Sequence, residues 1–100
     1  MRMLVLGAGL QGSACAYDLL QNPEVSEVRL ADLDIGHLPS FLAPYSGARL
    51  IPTPLDVKNH EGVAALMRES DAVMSALPYY FNLDMARLAV EAGVPFTDLG

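Results

Sequence analysis

Three glycines and one acid carry the chemistry this sequence can do. Residues 3 to 12, Met-Leu-Val-Leu-Gly7-Ala-Gly9-Leu10-Gln11-Gly12, form an apolar run that opens into Gly-x-Gly-x-x-Gly, and Asp32 follows 23 positions after Gly9. Each glycine answers a separate demand. At Gly7 the chain can turn sharply, at Gly9 backbone can approach an anion with no side chain between, and at Gly12 a helix can lie close to a sheet. The first turn of a helix leaves its N–H groups without intrahelical partners, and the helix dipole favours negative charge there. Gly9, Leu10, Gln11 and Gly12 therefore read as a seat for a pyrophosphate that needs no metal. The same spacing also fits a turn that only packs. The strand-like run before it, the helical pattern after it and the acid downstream favour the phosphate seat.

Asp32 stands where an acid at the end of a second strand accepts hydrogen bonds from the hydroxyls of an adenosine ribose. A carboxylate there repels a 2′-phosphate, and neither Leu33 nor Asp34 supplies the arginine that would welcome one, so NAD is favoured over NADP. The alternative for Asp32 is a helix cap or loop acid, and Asp34 reads as solvated or capping. Asp56 and Val57 follow the third strand, where a carboxylate can accept from the adenine amine and an apolar side chain can cover the ring. Asp56 equally suits the start of a turn. Ser75, Ala76 and Leu77 end the fourth strand, and small residues there would let backbone pass beside the pyrophosphate or the nicotinamide ribose. In Pro78-Tyr79-Tyr80-Phe81-Asn82, adjacent aromatics and an amide could shape a substrate pocket, with Tyr79 its candidate contact, although aromatics at helix starts usually join the core. No catalytic residue is assigned. His37 and His60 stand apart, with no second ligand at metal spacing, so no metal site is expected.

Composition narrows the class. The 100 residues are 52% hydrophobic and 18% charged, the balance of one compact globular domain. A net charge of −6 with six Lys or Arg scattered along the chain argues against nucleic acid, whose phosphates need a basic stripe. The single cysteine, Cys15, excludes an internal disulfide and reads as a small buried hydrophobe in the first helix. The apolar start is too short to span a membrane and does not resemble a signal peptide, which suggests a cytoplasmic protein.

The elements that must position these residues alternate. Met3 to Leu6 is a strand. Gly12, Ala16, Leu19 and Leu20 then share a helical face, with Gln11, Asp18 and Gln21 outward, until Asn22-Pro23 stops the helix. Val25 to Ala31 reads as a second strand. Ile35 to Ala43 predicts a short helix with Pro39 in its first turn, Pro44 to Gly47 a loop, and Ala48 to Thr53 a third strand suited by Pro52 and Pro54 to a sheet edge. Asn59 caps a helix whose Val63, Leu66 and Met67 face the sheet, and Ala72 to Ala76 forms a buried parallel strand. Phe81 to Ala92 predicts a third helix with Leu83, Ala86 and Val90 on one stripe, stopped by Gly93 and Pro95, and Val94 to Asp98 a fifth strand. Such alternation predicts an α/β fold of Rossmann type: a doubly wound parallel sheet of order 3-2-1-4-5 in three α/β/α layers, with its ligand crevice beyond strands one and four.

Taken together, the glycine turn, Asp32, Leu55-Asp56-Val57, Asp71 to Tyr79 and Ala92 to Gly100 resemble the N-terminal NAD(P)-binding domain of the saccharopine dehydrogenase family. Tyr80-Phe81-Asn82 and the Asp98-Leu99-Gly100 ending are most similar to its lysine dehydrogenase branch. The resemblance runs along nearly the whole chain and is weakest over residues 35 to 50. It implies hydride transfer between NAD(P) and a carbon–nitrogen bond of an amino acid such as lysine or saccharopine. It also implies that residues 1–100 are one domain of a longer enzyme, binding cofactor without turning over substrate, since a second domain holds the substrate in that family. Two other readings stay open: an NAD-sensing regulatory domain of the kind that gates potassium uptake, and a homodimerisation module with an exposed apolar edge.

Overall fold

The computed structural model describes residues 1–99; Gly100, the last residue of the Asp-Leu-Gly ending, lies outside the described residues. Five strands, β1 (Arg2–Leu6), β2 (Glu27–Asp32), β3 (Leu50–Pro54), β4 (Ala72–Ser75) and β5 (Phe96–Asp98), pair in parallel in the order β3-β2-β1-β4-β5. This is the expected Rossmann topology. Three α-helices, α1 (Leu10–Leu20), α2 (His60–Arg68) and α3 (Asn82–Ala92), cover the sheet.

Alternation along β1 divides the core between two faces, because successive strand side chains point opposite ways. Met3 and Val5 pack with Ala16 and Leu20 of α1 and with Leu42, whereas Leu4 and Leu6 pack with Val63 and Met67 of α2 and Met85 and Ala89 of α3. Every one of these side chains is buried. The central strand therefore reads as a continuous apolar run, the mark of a strand covered on both sides.

The boundaries follow local chemistry. The Asn59 side chain accepts from the Gly62 N–H at 3.1 Å and starts α2. Gly93, at φ 72°, ends α3 with the Val94 N–H donating to the Ala89 carbonyl and the Gly93 N–H to that of Val90, a paired closure that a left-handed residue permits. Arg49 closes the turn between α1 and β2, its guanidinium donating to the carbonyls of Leu20 at 2.7 Å, Asn22 at 2.8 Å and Val25 at 2.5 Å.

One expectation needs correction. Residues 35 to 43 form no α-helix; Pro39 precedes a 3-10 helix over Ser40–Tyr45 that contains Pro44. Pro44 lacks the N–H that a continuing helix needs, and the tighter winding tolerates it for a turn or two. The stripe Leu83, Ala86, Val90 does share a face of α3, but the buried residues are Met85 and Ala89, while Leu83 is 65% and Val90 80% exposed. Helical spacing shows which residues share a face and not which face the core receives.

Candidate dinucleotide-binding site

The glycine turn leaves β1 at the middle of the sheet. The Gly7 N–H donates to the Ala31 carbonyl at 2.8 Å, extending the β1–β2 ladder by one residue, and Gly7 then takes φ 97°. A Cβ at Gly7 would lie 3.1 Å from the carbonyl carbon and oxygen of Ala76, so conformation and close backbone passage both require glycine. A Cβ at Gly12 would overlap the Gly7 carbonyl oxygen and sit 3.4 Å from the Ala76 Cβ. The helix start thus packs against the turn itself, and Ala76 is the small residue that lets it do so.

Gly9 differs from both. Its φ of −68° suits any residue, and an added Cβ would meet nothing within 4 Å. The fold makes no demand for glycine here; the open space beside the N-terminus of α1 does. No side chain caps this helix, and no acid stands in its first turn. The N–H groups of the Gly9 to Gly12 turn are therefore left to an outside acceptor. Leu10, 78% exposed, and Gln11, also exposed, contribute backbone to the seat.

Side chains hold the turn from both ends. The Asp32 Oδ2 accepts the Ala8 N–H at 2.6 Å, and the Ser13 hydroxyl, fully buried, donates to the Ala8 carbonyl at 3.1 Å. Asp32 Oδ1 accepts the Asp34 N–H at 3.3 Å. Each carboxylate oxygen keeps a further lone pair, so Asp32 can still accept from a hydroxyl.

Beyond the C-terminal ends of β2, β3 and β4 lies a cavity of about 310 Å³. Asp32, Asp56 and Lys58 form its polar edge, and Leu55, Val57, Leu77 and Phe81 its apolar walls. Asp56 meets both descriptions at once: it lines the cavity, while its Oδ1 accepts the Lys58 N–H at 2.9 Å and its carbonyl accepts the Asn59 N–H at 2.9 Å in the turn leading to α2. The buried Ser75 hydroxyl donates to Asn82 Oδ1 at 2.8 Å and accepts the Leu77 N–H at 3.3 Å, tying the segment after β4 to the strand end. That segment starts as a 3-10 turn, Tyr79–Phe81, of which Phe81 lines the cavity and Tyr79, 78% exposed, stacks edge-on against Tyr80.

The remaining titratable candidates stand apart from the turn. Burial, and secondarily Asp18, push the half-buried Cys15 thiol up, and its Sγ contacts Met74 Sδ at 3.5 Å, which suits packing rather than nucleophilic attack. Asp34 accepts the Gly36 N–H at 3.0 Å and faces His37 at 3.1 Å; these contacts, the Gly36 N–H foremost, hold its carboxyl below the usual range. Sequence reasoning singled out neither Ser13 nor Lys58. A polar residue on the inward face of an otherwise apolar helix signals the first, and nothing in the local pattern signals the second.

Sheet order, glycine turn and strand-end acid define a Rossmann-type nucleotide-binding domain. The Saccharopine dehydrogenase NADP binding domain matches residues 3–100, and the chain belongs to that family. Among solved structures, it is similar to the apo histidine-tagged saccharopine dehydrogenase (L-Glu forming) of Saccharomyces cerevisiae, with 23% identity, TM-score 0.80, and 97% of this chain matched to 21% of that one. It is also similar to a UDP-glucose-4-epimerase of Stenotrophomonas maltophila with bound NAD (23% identity, TM-score 0.68, 97% of this chain and 35% of that one). A UDP-glucuronic acid 4-epimerase of Bacillus cereus, also in complex with NAD, matches at 23% identity and TM-score 0.66, over 96% of this chain and 38% of that one. At these identities the structures speak for the fold, and the chain spans about a fifth of the yeast enzyme's length. No helix among the described residues is long and apolar enough to cross a membrane.

Proposed function

We propose that this chain is the dinucleotide-binding domain of a cytoplasmic dehydrogenase that moves hydride between NAD(P) and a carbon–nitrogen bond of an amino acid such as lysine or saccharopine. The observation that carries the reading is Gly9: a glycine that the fold does not need, at an uncapped helix N-terminus, beside Asp32 and the cavity beyond it. Family membership supplies the redox context. In this reading, the bound nicotinamide supplies the hydride acceptor or donor.

The chain's own residues bind and orient. Backbone N–H groups from Gly9, Leu10, Gln11 and Gly12 take the pyrophosphate, with Gly7 and Gly12 shaping the turn. Asp32 accepts from the ribose hydroxyls, Asp56 accepts from the adenine amine, and Val57 covers the ring. Ala76 and Leu77 pass beside the cofactor toward its nicotinamide end, and the exposed Tyr79 is this domain's candidate contact with substrate. The groups that hold the amino acid and move its proton belong to polypeptide outside these residues, so the chain alone binds cofactor without oxidising lysine.

Asp32 further favours NAD, because a carboxylate beside the ribose opposes a 2′-phosphate. Calorimetric titration with NAD and NADP tests the whole reading. NAD binds more tightly, and Asp32→Ala narrows the gap. Equal or reversed affinities reject the role given to Asp32, and binding of neither dinucleotide rejects the function.

A further inference from the structure

The Asp32 carboxylate is already engaged before any ribose arrives. Its Oδ2 accepts the Ala8 N–H at 2.6 Å across 24 residues of sequence, in a partly buried setting. Short charge-assisted bonds of this kind are about twice as strong as neutral ones. The other end of the same residue is also fixed, since the Ser13 hydroxyl donates to the Ala8 carbonyl at 3.1 Å. Ala8 is the residue between Gly7 and Gly9, so both of its backbone polar groups are held by side chains. The Gly7 N–H, bonded to the Ala31 carbonyl at 2.8 Å, adds a third anchor immediately upstream. Gly9, directly after this clamp, has open space where a side chain would stand, and its carbonyl accepts the Ser13 N–H at 2.9 Å.

From this geometry we infer that Asp32 is a positioning residue for the pyrophosphate seat as well as a ribose acceptor: with Ser13 it clamps Ala8 and holds the glycine turn in its anion-receiving shape. The inference rests on the dinucleotide reading above and deepens it. A turn fixed in advance spares the ligand the entropy of ordering it. The anion itself is met by the N–H groups downstream of the clamp. Asp32 accepts the Ala8 N–H, just upstream of those donors, and acts on the anion through the turn it shapes. Ribose hydroxyls add to its remaining lone pairs without displacing the Ala8 N–H.

A ligand lacking the hydroxyls separates the two roles. 2′,3′-Dideoxy-ADP keeps adenine and diphosphate but offers Asp32 no ribose donor. If Asp32 served the ribose alone, Asp32→Ala would leave binding of this probe unchanged, or tighten it because a negative charge near an anion is removed. The clamp demands the opposite sign: affinity for 2′,3′-dideoxy-ADP falls by about tenfold in Asp32→Ala, the scale of one lost hydrogen bond to a charged group. Asp32→Asn, whose amide oxygen can still accept from Ala8, falls less. Ser13→Ala weakens ADP and the dideoxy compound by equal factors, since it never touches the ribose. Should Asp32→Ala not fold, Asp32→Asn carries the test, together with the Ala8 amide proton resonance, which moves upfield when the charged acceptor is neutralised. Unchanged or tighter dideoxy-ADP binding in the folded variant, or an unmoved Ala8 resonance in Asp32→Asn, overturns the clamp and leaves the dinucleotide reading standing. Failure of the unaltered protein to bind ADP and NAD overturns that reading itself.

Discussion

Replacing Gly9 and Gly12 separately by alanine distinguishes a glycine kept for a ligand from a glycine kept for the fold. At Gly9 the backbone is ordinary, φ −68°, and the new methyl meets nothing within 4 Å. Alanine is a poorer N-cap than glycine by several tenths of a kcal/mol or more, while the loss of glycine's freedom in the unfolded chain returns about 0.4–1 kcal/mol. Gly9→Ala should therefore leave stability within about 0.5 kcal/mol of the parent. Its cost appears on binding, where the methyl occupies the space in front of the helix N-terminus and NAD affinity falls about 10- to 100-fold, the worth of one or two phosphate contacts. At Gly12 the methyl overlaps the Gly7 carbonyl oxygen, which is backbone and cannot swing aside. Overlap with backbone puts the overpacking cost in the upper part of its range, about 2–3 kcal/mol, against which alanine's better helix propensity returns about 1 kcal/mol, so Gly12→Ala loses about 1–2 kcal/mol net. For a domain of this size that is a fall in Tm of about 5–15 °C. Thermal melts and NAD titrations on both variants check the pair. A Gly9→Ala variant that melts early yet binds normally, or a Gly12→Ala variant with unchanged Tm, refutes the division.

Three further outcomes follow from other contacts. Arg49→Ala deprives the Leu20, Asn22 and Val25 carbonyls of their donor, and urea melts should show a loss of about 2–3 kcal/mol, which Arg49→Lys recovers only in part because one ammonium cannot reproduce the planar fork. Asn59→Ala removes the α2 cap and should cost about 1 kcal/mol by the same assay, with no change in NAD affinity. Because the Gly36 N–H and then His37 hold the Asp34 carboxyl below its usual range, its contribution to stability is present above the ordinary carboxylate range and fades as pH falls through the lowered folded value. An NMR titration should place Asp34 below an unperturbed aspartate, and Asp34→Asn should flatten this part of the acid limb of the stability profile; a normal Asp34 titration rejects it.

The sheet was legible because its strands are short, the central one is apolar throughout its buried part, and local signals with one meaning separate them. Gly7, Asn22-Pro23, Asn59 and Gly93 act through their own backbone geometry, so their roles survive without knowledge of the rest of the molecule. The region between Asp32 and Leu50 was not legible. Leu38, Phe41 and Leu42 satisfy a helical period, but Pro39 and Pro44 impose a 3-10 helix instead, and only Leu42 of the three is fully buried. On α3 the stripe was legible as a face, but not its relation to the core. Leu83, Ala86 and Val90 share one face of the helix and Met85 and Ala89 another, and helical spacing does not say which of the two the core receives.

The candidate site divides along the same line. Gly7, Gly12 and Asp32 could be assigned from spacing because the strand, turn and helix that join them are contiguous, so sequence distance stands in for geometry. Lys58 and Phe81 share a cavity with Asp32 only because β3 and β4 lie on opposite sides of the β2–β1 pair and their loops converge beyond it. The glycine motif hides a distinction that only packing shows. Gly7 and Gly12 are glycine because other atoms already crowd the place where a side chain would start, whereas at Gly9 that place is open. A residue that stability alone would let vary, held bare at a helix N-terminus and stiffened from behind by Asp32 and Ser13, is an argument for a ligand that owes nothing to the spacing of the motif.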